Sequence, residues 1–103
     1  MPRFRACRAE IRFDDGSPPE RDEDAEVRIE AGRILLCYWD ESGAVVFEGS
    51  EAEAGHFELR ARSRPRVARL VHVDEQRILE GTWSEGDAGG RLRIELGEEG
   101  EPG

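Results

Sequence analysis

His56 and His72, with the carboxylates Glu58 and Glu80, are the residues of this chain best suited to moving a proton or reading a polar ligand. An imidazole beside a carboxylate can do acid–base work near neutral pH. That pairing requires the segments 56–64 and 77–84 to lie on neighbouring walls of one structure. Nothing nearby completes a catalytic constellation. There is no nucleophile on an elbow and no paired-carboxylate signature, and the glycines between Gly86 and Gly90 are followed by neither a helix nor a lysine. No catalytic residue and no cofactor are expected. A metal needs three or four ligands, and the two histidines and two cysteines, Cys7 and Cys37, form no local cluster. The run 22–26 lacks the glycine turn of a calcium loop. A hydrogen-bonded or surface role is the stronger reading for each histidine.

Arginine is the second source of chemistry. All 15 basic residues are arginine, against 24 acidic residues, so the net charge is −9. Coding bias in a GC-rich genome accounts for the missing lysine. Arg60, Arg62 and Arg64 alternate along one face of a segment. Residues 57–77 hold six arginines against Glu58, Asp74 and Glu75, a net +3 that leaves −12 for the remainder. The row is either a solvated face paired with neighbouring acids or a patch for an anionic ligand or acidic partner. Single-stranded nucleic acid would need aromatic rings between the arginines, and 58–69 has none. An acidic chain also repels phosphate backbones and anionic membranes, so neither is an expected partner.

Aromatic residues are scarce, at 7% of the chain. Trp83 shares the apolar face of its segment with Leu79, as a core plug or as the wall of a ligand pocket. Tyr38 and Trp39 are adjacent and therefore point to opposite faces. One must meet the interior, and the other marks a contact surface if it is left in water.

The elements that position these groups follow from hydrophobic periodicity. Segment 4–13 places Cys7, Ala9, Ile11 and Phe13 on one face, while Phe4 and Ala6 are out of phase, which predicts a bulge near residues 5–6. Residues 14–25 are acidic and proline-rich and read as a mobile loop. Strands follow at 26–30, 33–40, 44–50, 56–64, 66–73, 77–84 and 91–96, separated by turn signals. Ala31-Gly32 reads as a tight hairpin, Pro65 as a corner and 85–90 as a flexible hairpin loop. The segment 33–40 is apolar on both faces, and 66–73 carries Val67, Leu70, Val71 and Val73. The acidic residues 98–103 read as a disordered tail.

These signals predict an all-β domain over 1–97, an up-and-down antiparallel meander of about eight strands. Closure into a small barrel removes the edges an open sheet must protect. With 103 residues, 37% of them apolar, there is room for one thin core. Residues 1–8 carry no apolar run, so no signal peptide is expected; a cytoplasmic location follows, and buried free thiols are favoured there over a Cys7–Cys37 disulfide, the other state open to the pair.

The motif Gly81-Thr82-Trp83, with Gly55-His56-Phe57-Glu58-Leu59, Leu70-Val71-His72, Leu79-Glu80 and Arg93-Ile94-Glu95-Leu96 around it, resembles the calycin-like barrels (lipocalins, fatty-acid-binding proteins and avidins) and small uncharacterised bacterial proteins. The resemblance covers about half the chain. It departs from the family in one respect: lipocalins and avidins carry Gly-x-Trp on the first strand, and here it falls on the next to last. The resemblance implies a barrel whose interior holds a small molecule. Tyr38, Phe47, Phe57 and Trp83 would line that interior, with His56, His72 or Glu80 as polar anchors. The other functional reading is a protein-interaction or inhibitory module that turns its acidic surface to a basic partner, as monomer or homodimer. The direction of Tyr38 and Trp39 separates the two: inward favours a ligand, outward a partner.

Overall fold

The computed structural model describes residues 3–41, 43–73 and 77–100. Nine strands run in chain order: β1 Arg3–Phe13, β2 Glu20–Glu30, β3 Arg33–Asp40, β4 Gly43–Glu53, β5 His56–Ala61, β6 Arg66–Val73, β7 Ile78–Glu85, β8 Ala88–Glu95 and β9 Glu98–Gly100. Each of the first seven is antiparallel to the next. β1 then pairs with both β8 and β2, so the meander closes into an eight-stranded barrel. Among the described residues no helix is long and apolar enough to cross a membrane.

Alternation explains the core. Cys7, Ala9 and Ile11 of β1, Ala25 and Val27 of β2, Ile34, Leu36 and Tyr38 of β3, and Val45 and Phe47 of β4 are all buried. Phe57, Leu59, Ala68, Leu70, Leu79, Trp83, Leu92 and Ile94 complete the inner layer. Removing such side chains from water is the main term that closes the barrel. The bulge expected near residues 5–6 is present: the β1–β2 register shifts between Phe4 and Cys7, and Ala6 has φ 52°. Ala31 (φ 49°) and Gly32 (φ 76°) make the expected two-residue hairpin.

Three expectations change. β2 begins at Glu20 rather than at residue 26, so 20–25 is strand and not loop. A strand whose side chains face water needs only its ladder and ion pairs, and Arg21 meets Glu10 at 3.0 Å there. The connection of β7 to β8 is shorter than expected, because Glu85 already pairs with Ala88 and the strand contains Gly89 and Gly90. A Cβ on Gly90 would lie 1.7 Å from the Arg12 carbonyl oxygen, so glycine there serves close strand packing rather than a flexible loop. The inner face of β6 is Ala68 and Leu70, while Val67 and Val71 are exposed. Arg66 shares the parity of Ala68 and Leu70 and turns inward with them. Finally, the start of the expected tail is ordered: Glu98–Gly100 pairs with Arg3–Arg5 on the edge of β1 that β8 occupies further along. The turn expected at 74–76 and residues 101–103 lie outside the described residues.

Cys7 faces the core and accepts the Gly97 N–H at 3.3 Å, while Cys37 lies half-buried on the outer face; both thiols are free. Burial raises the pKa of each, so the unreactive protonated form prevails at neutral pH. Thiol titration of native protein should modify Cys37 slowly and Cys7 only on unfolding. Two thiols should react in denaturant without reductant, and a denatured count of zero would mean a disulfide this fold does not contain.

Candidate functional site

Two places on the barrel bring chemistry together: one mouth and one outer face. The mouth lies where β1, β3 and β7 end. Arg66 opens β6 there, after the Pro65 corner, on the inner side with Ala68. Its Nη1 donates to Tyr38 Oη of β3 at 3.0 Å and its Nε to Glu85 Oε1 at 3.1 Å. The guanidinium carbon stands 4.6 Å from the centre of the Trp83 ring. Arg64 Nη1 donates to Asp40 Oδ2 at 3.1 Å, and Arg66 lies 4.0 Å from the same oxygen. Trp83 is itself fixed: Nε1 donates to the Arg12 carbonyl at 3.1 Å, and Phe13 meets the ring edge-on at 5.5 Å. Burial pushes the Tyr38 phenol above its ordinary pKa, which keeps it neutral and able to accept from Arg66. The result is a polar plug spanning the mouth from β6 to β3.

Glu20 borders this plug. Burial raises its pKa, and the neighbouring Asp40 and Glu41 charges raise it further. Glu10, on the outside, is the reverse case: hydrogen bonds from Arg12 at 2.7 Å and Arg21 at 3.0 Å hold its pKa below the usual value. The signs follow from linkage. A carboxyl whose pKa is raised on folding stabilises only below its unfolded value, and that contribution disappears as pH rises through the folded one. One whose pKa is lowered stabilises above its unfolded value and loses this as pH falls through the folded one. Glu20→Gln should therefore raise the melting temperature near pH 7 and change little in acid. Glu10→Gln should lower it near pH 7 and also converge in acid. Thermal melts across pH check both, and a Glu20→Gln loss at neutral pH would contradict the assignment.

The residues proposed as interior liners divide cleanly. Tyr38, Phe47, Phe57 and Trp83 all face the interior, each 4% exposed or less, with Tyr38 stacked on Phe47 at 6.1 Å. His72 shares the parity of Leu70 and is half-buried. His56 and Glu80 are exposed on the outside, so two of the three expected polar anchors face water. Strands β5 and β7 are not adjacent: Val71 of β6 stands between His56 and Glu80 on the same rung. Glu58 faces Arg69 at 3.6 Å instead of an imidazole. Four grooves, of about 280, 370, 270 and 480 Å³, all run over the outer surface.

The arginine row is also divided. Arg62 pairs with Glu48 at 3.0 Å, Arg64 turns to the mouth and Asp40, and Arg60 lies exposed across from Glu48 in the ladder. Exposed pairs of this kind contribute about 0–1 kcal/mol each. Among the described residues, no group of three or more histidine, cysteine or acidic side chains could hold a metal ion.

The outer face of β3 is different. Tyr38 points in, and Trp39 points out with 60% of its surface exposed. Leu35 and Cys37 continue the stripe toward the other end of β3, and Val46 of β4 lies beside Cys37; all three are half-buried. Asp22 anchors this edge: its Oδ2 accepts the Trp39 backbone N–H at 2.7 Å and its Oδ1 the Asp24 N–H at 2.9 Å. Glu23, Asp24 and Glu41 are exposed close by in sequence. The double-sided apolar pattern of 33–40 signalled this stripe but not which of its two faces was the outer one. The inward Arg66 gave no signal beyond its parity with Ala68 and Leu70.

Fold and site together define a closed, eight-stranded, antiparallel β-barrel with a polar plug in one mouth and an exposed tryptophan on its wall. Comparison of the chain with protein-family models, curated proteins and solved structures found no match.

Proposed function

We propose that this barrel is a protein-interaction module that engages a basic partner through its acidic outer surface. The observation that carries the reading is the 60% exposure of Trp39 in a chain with two tryptophans. Tryptophan is enriched among the residues that dominate binding energy at protein interfaces, and a net charge of −9 steers a cationic partner toward the face that carries it. The interior supports a small-molecule role less well, because its four aromatic liners are covered by one another and by the aliphatic core. Kinship with calycin-like barrels belongs to this reading too. Trp83 of the Gly-x-Trp motif closes one barrel end, from β7 rather than from the first strand. Two free thiols suit a reducing compartment, so we place the protein in the cytoplasm.

The test is affinity retention on immobilised protein, wild type against Trp39→Ala, at low and high ionic strength, with retained proteins identified. Retention at low salt of a protein of basic isoelectric point, lost at high salt and lost with Trp39→Ala, is the expected result. A retained set that is the same for both proteins at every salt concentration would count against the reading.

A further inference from the structure

We infer that the Trp39 face takes an arginine side chain from an extended or loop segment of the partner, laid over the indole and held by the carboxylates of β2 and the β3–β4 turn. This rests on the basic-partner reading and narrows it to one face and one kind of side chain.

The molecule uses this chemistry twice within itself. Arg66 lies 4.6 Å over Trp83, with Glu85 accepting from its Nε, and Arg77 lies 5.7 Å over Phe4. A guanidinium is planar and weakly hydrated, so it can stack on an aromatic face while its edge still donates to a carboxylate. Trp39 has half of that arrangement. Its ring is open to water and Asp22 is tied to its backbone, while Glu23, Asp24 and Glu41 have no ion-pair partner among the described residues. Arg62, whose backbone N–H donates to the Val46 carbonyl, is committed to Glu48. The exposed ring, with Asp22 held to its backbone and Glu41 two residues along the chain, lacks only the cation that completes Trp83, and a partner must supply it. The half-buried Leu35, Cys37 and Val46 extend the contact along the strand and suit an apolar residue beside the arginine. A second copy of this chain fits less well, because a convex barrel wall on a molecule of net charge −9 opposes its own kind.

Hexa-arginine and hexa-lysine peptides carry equal charge and separate stacking from simple attraction. Both should be titrated into the intact protein at low ionic strength, by calorimetry and by tryptophan emission. Hexa-arginine should bind about 5-fold tighter than hexa-lysine, the size of one exposed cation–π contact, and should change the emission of Trp39. Trp39→Ala should remove that preference, Trp39→Phe should keep part of it, and Asp24→Asn with Glu41→Gln should weaken both peptides. Trp39 is a surface residue, and unchanged melts of its variants confirm folding. Equal binding of both peptides, untouched by Trp39→Ala, would overturn the assigned face and leave the basic-partner reading standing. Binding of neither peptide would overturn both. Self-association that Trp39→Ala abolishes would give the face to a second copy and overturn the proposal.

Discussion

Gly81→Ala should leave little folded protein. Gly81 faces Leu70 of β6 in the ladder, and a Cβ built on it would lie 1.7 Å from the Arg69 carbonyl oxygen and 2.8 Å from its carbonyl carbon. The obstruction is backbone, so no change of side-chain rotamer relieves it. β6 and β7 would have to part, and that seam orders Arg66, Trp83 and the mouth between them. Ordinary overpacking costs about 1–3 kcal/mol where side chains can shift. A clash with main chain should cost about 4 kcal/mol or more, a large share of the roughly 5–15 kcal/mol by which such domains are stable. For a domain of about 100 residues that corresponds to a fall of some 20 °C or more in melting temperature. The adjacent Thr82 is exposed, and Thr82→Ala should stay within about 0.5 kcal/mol of wild type. Circular dichroism melts of the two variants check this. A Gly81→Ala protein that melts with wild type would mean that the two strands do not approach as described. The same contact explains the Gly-x-Trp motif: its glycine admits the neighbouring strand and its tryptophan fills the mouth beside it.

Arg66→Ala should be the second most damaging change. It removes the donor to Tyr38 Oη, the partner of Glu85 and the cation over Trp83, and it leaves Asp40, whose side chain is 8% exposed, with one arginine fewer. Deleting one member of a buried charge network costs about 3–5 kcal/mol, because the remaining charge stays desolvated. Glu85 keeps 33% of its side-chain surface in water, which places the expected loss near the lower bound, about 3 kcal/mol. That is a fall of about 15 °C for a domain of this size. Arg66→Lys should not restore it, since an ammonium cannot stack flat on the ring while bonding Tyr38 and Glu85 in one plane. In a Glu85→Gln background Arg66→Ala should cost less, because one stranded charge is already gone. Chemical denaturation of the four proteins of that cycle at pH 7 provides the check. A loss that is additive with Glu85→Gln would reduce Arg66 to packing alone.

How far the residues announced this arrangement depended on whether polar and apolar positions alternate. In β1 and β8 they do. Ile11 and Phe13 against Arg12, and Leu92 and Ile94 against Arg91 and Arg93, left one way to face, and the phase break at Phe4 and Ala6 located the bulge. Where apolar residues fill both faces, as in β3, parity alone does not choose an inside, and Trp39 could be separated from Tyr38 only by the closed barrel. In β6 apolar residues fall on both parities, and the closed barrel turns Arg66, Ala68 and Leu70 inward and leaves Val67 and Val71 facing water. The segment 20–25 was misread because a strand held by its ladder and by Arg21–Glu10 needs no apolar stripe. Gly89 and Gly90 were misread because glycine serves close packing as well as turns. Of the candidate site, the aromatic members were visible as types, and the plug was not, since it joins residues from β3, β6 and β7 that no local spacing connects.

One tryptophan lies outside and one inside a closed wall, and Trp39→Phe separates them. Emission from that variant comes from Trp83 alone. It should be blue-shifted and resistant to acrylamide quenching, with the red-shifted, quenchable component of the wild-type spectrum gone. Emission from Trp39→Phe that is red-shifted and freely quenched would put Trp83 in water, and neither the plugged mouth nor the outward binding face would stand.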